Sequence, residues 1–104
     1  MVHWEEQPAV LRCCGDEDRA TQALRRCALS RALVARRDVV VDLRELGFAD
    51  ASFMVDLAMV ARRLRKSGRV LRLRGAAPHI HRLIELVGLH RLPGVMVDPA
   101  PQYA

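Results

Sequence analysis

Apolar residues recur every second position in some stretches of this chain and every third or fourth in others, and the two rhythms take turns. Val70–Arg74 has the two-residue rhythm: Leu71 and Leu73 point one way, Arg72 and Arg74 the other. Leu11 and Cys13 flank Arg12 in the same manner, which predicts a half-buried strand over Ala9–Cys14 after a weaker one at Val2–Glu5. Val39-Val40-Val41-Asp42-Leu43 is β-branched and nearly continuous, as expected of a central strand, and Val95–Val97 predicts a last short one. Gly15-Asp16-Glu17-Asp18 reads as a break, and the residues after Leu43 read as a loop over Leu46 and Phe48.

Between these strands lie three helical patterns. Asp18, or Thr21 in competition, caps a helix running from Arg19 to about Ala35, with Ala20, Leu24, Cys27 and Val34 as its stripe and Arg31 interrupting it. Met54, Leu57, Ala61 and Leu64 mark a helix from about Ser52 to Lys66, stopped by Gly68. Burying each large member contributes on the order of 1.5–3 kcal/mol. Its end carries Arg62, Arg63, Arg65 and Lys66, cations that suit the helix dipole there. Pro78 opens a third helix with Ile80, Leu83, Ile84 and Val87 in line, and Gly88 closes it, with Leu89 placed for the apolar contact that follows a glycine cap.

The order β-β-α-β-α-β-α-β predicts a two-layer α/β domain. Its four- to five-stranded sheet is mainly parallel, with helices on one face and Arg12, Asp42, Arg72 and Arg74 on the other, solvated face. One domain over 1–104 is expected, with its core at about 9–98 and a short tail at 99–104.

Composition narrows the function. With 51% hydrophobic residues and only 4% aromatic, the core must be aliphatic. No run reaches the roughly 18 apolar residues of a membrane span, and the first residues lack a signal-peptide pattern, so a cytoplasmic location is the expectation. Cys13, Cys14 and Cys27 form no C-x-x-C pair, and His3, His79, His81 and His90 have no ligand spacing; neither a disulfide framework nor a metal site is expected. The net charge of +5 is spread over every element, and nucleic acid is not the expected partner. No nucleophile triad, glycine-rich phosphate loop or convergent acid pair appears. Catalysis and a cofactor are therefore not expected.

The sharpest chemical signal is Phe48-Ala49-Asp50-Ala51-Ser52, where a buried strand leads to the first turn of a helix. A hydroxyl there lies where free backbone N–H groups and the helix dipole favour negative charge, which suits a reversible phosphate on Ser52. A simple capping serine fits the same position. Phe53, Met59 and Val60 lie off the Met54–Leu64 stripe and are expected on the outer face, as a partner patch and a candidate homodimer contact.

Five segments in order resemble the STAS domain, the fold of bacterial anti-sigma factor antagonists. Gly15-Asp16-Glu17-Asp18 with Ala20-Thr21 is similar to that family's G-E-x-D…A-T segment, and Val39–Leu43 to its central strand. Phe48–Ser52 is similar to its F-x-D-S-S segment, Arg62-Arg63-Leu64-Arg65 with Gly68 to the end of its second helix, and Leu83–Leu89 to its L-x-L-x-G-L close. The resemblance implies binding to an anti-sigma factor that is a serine kinase, broken when Ser52 is phosphorylated. By position it implies a partner surface of Asp50, Ala51, Ser52 and Phe53, which the following helix extends through Asp56, Met59, Val60 and Arg63.

Three residues depart from the family pattern: Ala51 replaces a serine, Phe53 a glycine and Asp56 an apolar residue. Asp56 is one helical turn from Ser52, so a phosphate would face a carboxylate about 6 Å away. Repulsion of roughly 1–3 kcal/mol per unit charge would exceed the 0.3–1 kcal/mol returned by an exposed helix start. The departures predict a slow phosphoacceptor or a module without the switch. The alternative is an unphosphorylated STAS scaffold subunit of a transporter ATPase or signalling assembly.

Overall fold

The structure is a computed structural model that describes residues 1–99; the rest of the expected tail lies outside the described residues. Five strands form one sheet in sequential order: β1 (Val2–Glu5), β2 (Val10–Glu17), β3 (Val39–Ala49), β4 (Leu71–Arg74) and β5 (Val95–Val97). β1 is antiparallel to β2, and every later neighbour is parallel. Helices α1 (Arg26–Leu33), α2 (Ala51–Lys66) and α3 (Pro78–Val87) carry the crossovers.

The core lies between the sheet and the helices. Leu11, Val39, Val41, Leu43 and Leu71 are fully covered there, and Leu57, Ala61 and Ile84 meet them from the helices. The α2 stripe Met54, Leu57, Ala61 and Leu64 is buried as its spacing requires. Gly68 has φ 73 and Gly88 has φ 78, left-handed values that let the chain leave α2 and α3 at no side-chain cost. Past Gly88, Leu89 tucks under at 2% exposure, whereas Val87, expected in the buried stripe of α3, is 44% exposed.

Two segments read as a break and a loop are strand. β2 continues through Gly15-Asp16-Glu17 and β3 through Ala49, pairing Gly15 with Leu46, Asp16 with Phe48 and Glu17 with Ala49 across two register irregularities. Neither segment has strong β-propensity, but each gives the other hydrogen-bond partners. Leu46 packs inward as expected, whereas Phe48 is half-exposed.

The first helix departs most from expectation. Asp18 caps only a single 3-10 turn at Arg19–Thr21, with a reciprocal bond to Thr21, and α1 begins at Arg26. Leu24 and Val34 face solvent, as do Ala20 and Cys27, and the inward positions belong to Arg25, Ala28 and Ala32. The interruption at residues 22–25 shifts the helical phase, so a stripe counted from Ala20 falls on the wrong side.

On the outer sheet face the charges neutralise one another. Arg12 pairs with Glu5 and Asp42, Arg44 with Asp42, and Arg72 and Arg74 with Asp98. Asp42 is consequently buried at 6% exposure instead of solvated, and the Arg44 hydrogen bond holds its carboxyl below the ordinary value. Among the described residues no helix is long and apolar enough to cross a membrane.

Candidate functional site

The carboxyl ends of β2 and β3 bring the Ser52 site together. Asp50 follows β3 directly, and its N–H donates to the Glu17 carbonyl at 3.1 Å, which ties the two strand ends. With extended backbone at φ −112, Asp50 is the N-cap of α2. Its Oδ1 accepts from the backbone N–H of Ser52 at 2.9 Å and of Phe53 at 3.4 Å, and its Oδ2 from the N–H of Arg19 at 3.2 Å. The capping role belongs to Asp50, which frees the Ser52 side chain for other work.

The Ser52 hydroxyl is part-buried and engaged twice. It donates to Asp50 Oδ1 at 2.5 Å and accepts from Arg25 Nη2 at 3.2 Å. The Ser52 hydrogen bond, with help from the backbone N–H groups, holds the Asp50 carboxyl below its ordinary value, so Asp50 is ionised at neutral pH.

Arg25 is the residue that sequence reading missed. It is 1% exposed, and its guanidinium lies 5.4 Å from the Phe53 ring centroid. Its Nε donates to Asp56 Oδ2 at 2.7 Å, and its Nη1 to Glu17 Oε1 at 3.3 Å and to the Asp18 carbonyl at 2.9 Å. Glu17, itself 1% exposed, has its other oxygen 2.6 Å from the Met1 amino group. One guanidinium therefore joins β2, the entry to α1 and the first two turns of α2. The available signal was arginine in line with Ala28 and Ala32 at helical spacing, an oddity easily taken for a solvent-facing charge.

This arrangement alters the expected role of Asp56. It does lie one turn from Ser52, but its charge is taken up by Arg25, so it is not a free carboxylate facing the hydroxyl. Two further expectations are corrected. Phe53 and Val60 are 0% and 1% exposed and point into the core, because α2 presents a buried stripe wider than the four residues counted from the sequence. Covered side chains offer a partner nothing, and the homodimer contact expected of them loses its basis. Met59 is exposed, as is Arg63, and together they continue the Ser52–Asp56 row along α2. Ala51 is also exposed and begins a second row with Val55, which the sequence reading had not singled out. Ala51, Val55 and Ala58 line one side of a groove of about 240 Å³, with Val87 and Leu92 opposite.

His79 is occupied by the Gly47 carbonyl at 2.6 Å, and no group of side chains able to hold a metal is present among the described residues. Cys13 is buried, and burial pushes its thiol up to about 12.

A mainly parallel sheet flanked by helices on one face, with Ser52 in the first turn of the helix that follows the central strand, defines a class of small two-layer α/β domain. The family described as Mlab, STAS domain matches residues 1–98, and the chain belongs to it. In fold it is similar to the anti-sigma factor antagonist SpoIIAA in its unphosphorylated form, with a TM-score of 0.69 at 17% identity over 97% of this chain and 88% of that one. Comparison with curated proteins gives no match.

Proposed function

We propose that this chain is an anti-sigma factor antagonist: it binds an anti-sigma factor serine kinase and is switched off by phosphorylation of Ser52. The observation that carries this reading is the part-buried Ser52 hydroxyl in the first turn of α2, polarised by Asp50 at 2.5 Å. The SpoIIAA-like fold supports it. In the transfer, a new bond forms between Ser52 Oγ and the γ-phosphorus of the kinase's nucleoside triphosphate. The bond from that phosphorus to the β,γ-bridging oxygen breaks, the diphosphate leaves, and the hydroxyl proton departs along the Asp50 hydrogen bond. The docking surface is Asp50, Ala51 and Ser52 with Asp56, Met59 and Arg63, extended by Val55 and relieved of Phe53 and Val60. Adding roughly −1.5 to −2 charge at its centre opposes binding through desolvation and repulsion.

The test compares binding of wild type, Ser52→Ala and Ser52→Asp to the cognate anti-sigma factor. Ser52→Ala should bind about as wild type does, and Ser52→Asp at least about tenfold more weakly, near 1.4 kcal/mol. Equal binding by Ser52→Asp refutes the switch.

One observation favours a second reading, the unphosphorylated scaffold. Ser52 Oγ is held from both sides, which also suits a serine that only braces a helix start. Intact-mass measurement of protein from its native cell separates the two, because a scaffold never carries a phosphoryl group.

A further inference from the structure

We propose that Arg25 is a built-in receptor for a phosphate on Ser52, so that the modification is read inside this domain as well as at its surface. The inference rests on the phosphoserine reading above and concerns what the phosphate would meet.

Nη2 of Arg25 carries two N–H groups, and among the described residues it has one acceptor, the Ser52 hydroxyl at 3.2 Å. Nε and Nη1, by contrast, are committed to Asp56, Glu17 and the Asp18 carbonyl. The guanidinium is 1% exposed and wedged beside Phe53, so its fork is fixed before any phosphate arrives. A phosphomonoester on Ser52 places three acceptor oxygens two bonds beyond Oγ, on the phosphorus, within reach of the spare N–H and next to the Nε–Asp56 pair. A dianion outcompetes a single carboxylate for a guanidinium, because both charge and planar two-point geometry favour it.

The consequence follows from the connectivity. As the phosphate draws Nη2 and Nε toward itself, Asp56 loses its partner and becomes a free negative charge on α2. Through Nη1 the same side chain holds Asp18 and Glu17, so the pull reaches the residues that lead into α1. Asp56, predicted from its spacing to repel the phosphate, acts instead as the place-holder that keeps Arg25 ready.

The experiment places phosphoserine at position 52 during translation, by codon reassignment, and needs no kinase. Its outcome is therefore independent of whether a kinase partner exists. Two readouts are taken: the ³¹P titration midpoint of the phosphate, and the ¹⁵N-edited signals of the Arg25 side chain. In the otherwise wild-type protein an Arg25 Nη proton should move downfield and follow the phosphate titration. Glu17→Gln with Arg25→Gln removes the buried pair without changing net charge. It should raise the ³¹P midpoint by about half a pH unit or more, a threefold change in proton affinity. Should that double variant fail to fold, Arg25→Lys keeps the charge and lacks the spare fork, and it should raise the midpoint in the same direction. Arg25 signals unchanged by phosphoserine, or a midpoint unmoved in a folded variant, overturns the proposal.

Discussion

Replacing Arg25 by methionine tests whether the buried guanidinium holds the site together. Methionine keeps most of the length and packing volume against Phe53 but leaves Glu17 at 1% exposure and the Asp56 side chain at 14% without their common partner. Breaking a buried pair by removing one member costs about 3–5 kcal/mol, because the remaining charge is stranded away from water. The lower end applies here, since Asp56 can still recruit solvent and Glu17 keeps the nearby Met1 amino group. A loss of about 3 kcal/mol lowers Tm by roughly 12–24 °C in a domain of this size. In urea, where m is about 1–3 kcal/mol/M, the midpoint falls by about 1–3 M. Equilibrium unfolding followed by far-ultraviolet circular dichroism reads both. The companion variant Glu17→Leu, Arg25→Met, Asp56→Leu removes the whole charged cluster. It should recover to within about 1 kcal/mol of wild type or exceed it, as apolar replacements of buried ionic triads do. Refutation is a single Arg25→Met variant that loses less than about 1 kcal/mol, or a triple variant as unstable as the single.

Asp50→Asn keeps the helix cap but removes its charge, and stability at pH 7 should fall by on the order of 0.5 kcal/mol. Asp50 has a lowered native pKa, so its contribution is complete above the unfolded value near 4 and disappears as pH falls through the native one. Unfolding curves of Asp50→Asn and wild type should therefore differ at neutral pH and converge in acid; a constant difference would exclude the charge as the cause. Alkylation at pH 8 with mass detection should modify exposed Cys27 in the native protein and spare Cys13, which is buried with its thiol near 12, until denaturant is added. Equal native rates at the two cysteines would contradict that burial.

Periodicity made α2, α3 and β4 legible in the sequence. The reason is physical: Met54, Leu57, Ala61 and Leu64 bury on one side only if the chain turns every 3.6 residues, and Leu71 and Leu73 share a face only in a strand. Asp50 and Ser52 were legible as a helix start because a short acid before a helix serves one local purpose, satisfying free N–H groups. The far halves of β2 and β3 were less so. Gly15–Glu17 and Glu45–Ala49 become strands by pairing with each other, and no local window contains both.

Local pattern set the alternation of strands and helices, the Met54–Leu64 stripe of α2, the Ile80 and Ile84 side of α3, and the placement of a serine at the head of α2, since each is written in residues a few positions apart. Long-range packing settled the rest: Arg25 turns inward, Phe53 and Val60 belong to the core, and Asp56 is a partner instead of a repelling neighbour. Burying an arginine is unfavourable until carboxylates from other elements surround it. Glu17 and Asp56 lie 8 and 31 residues away along the chain and meet it only when the sheet and helices close.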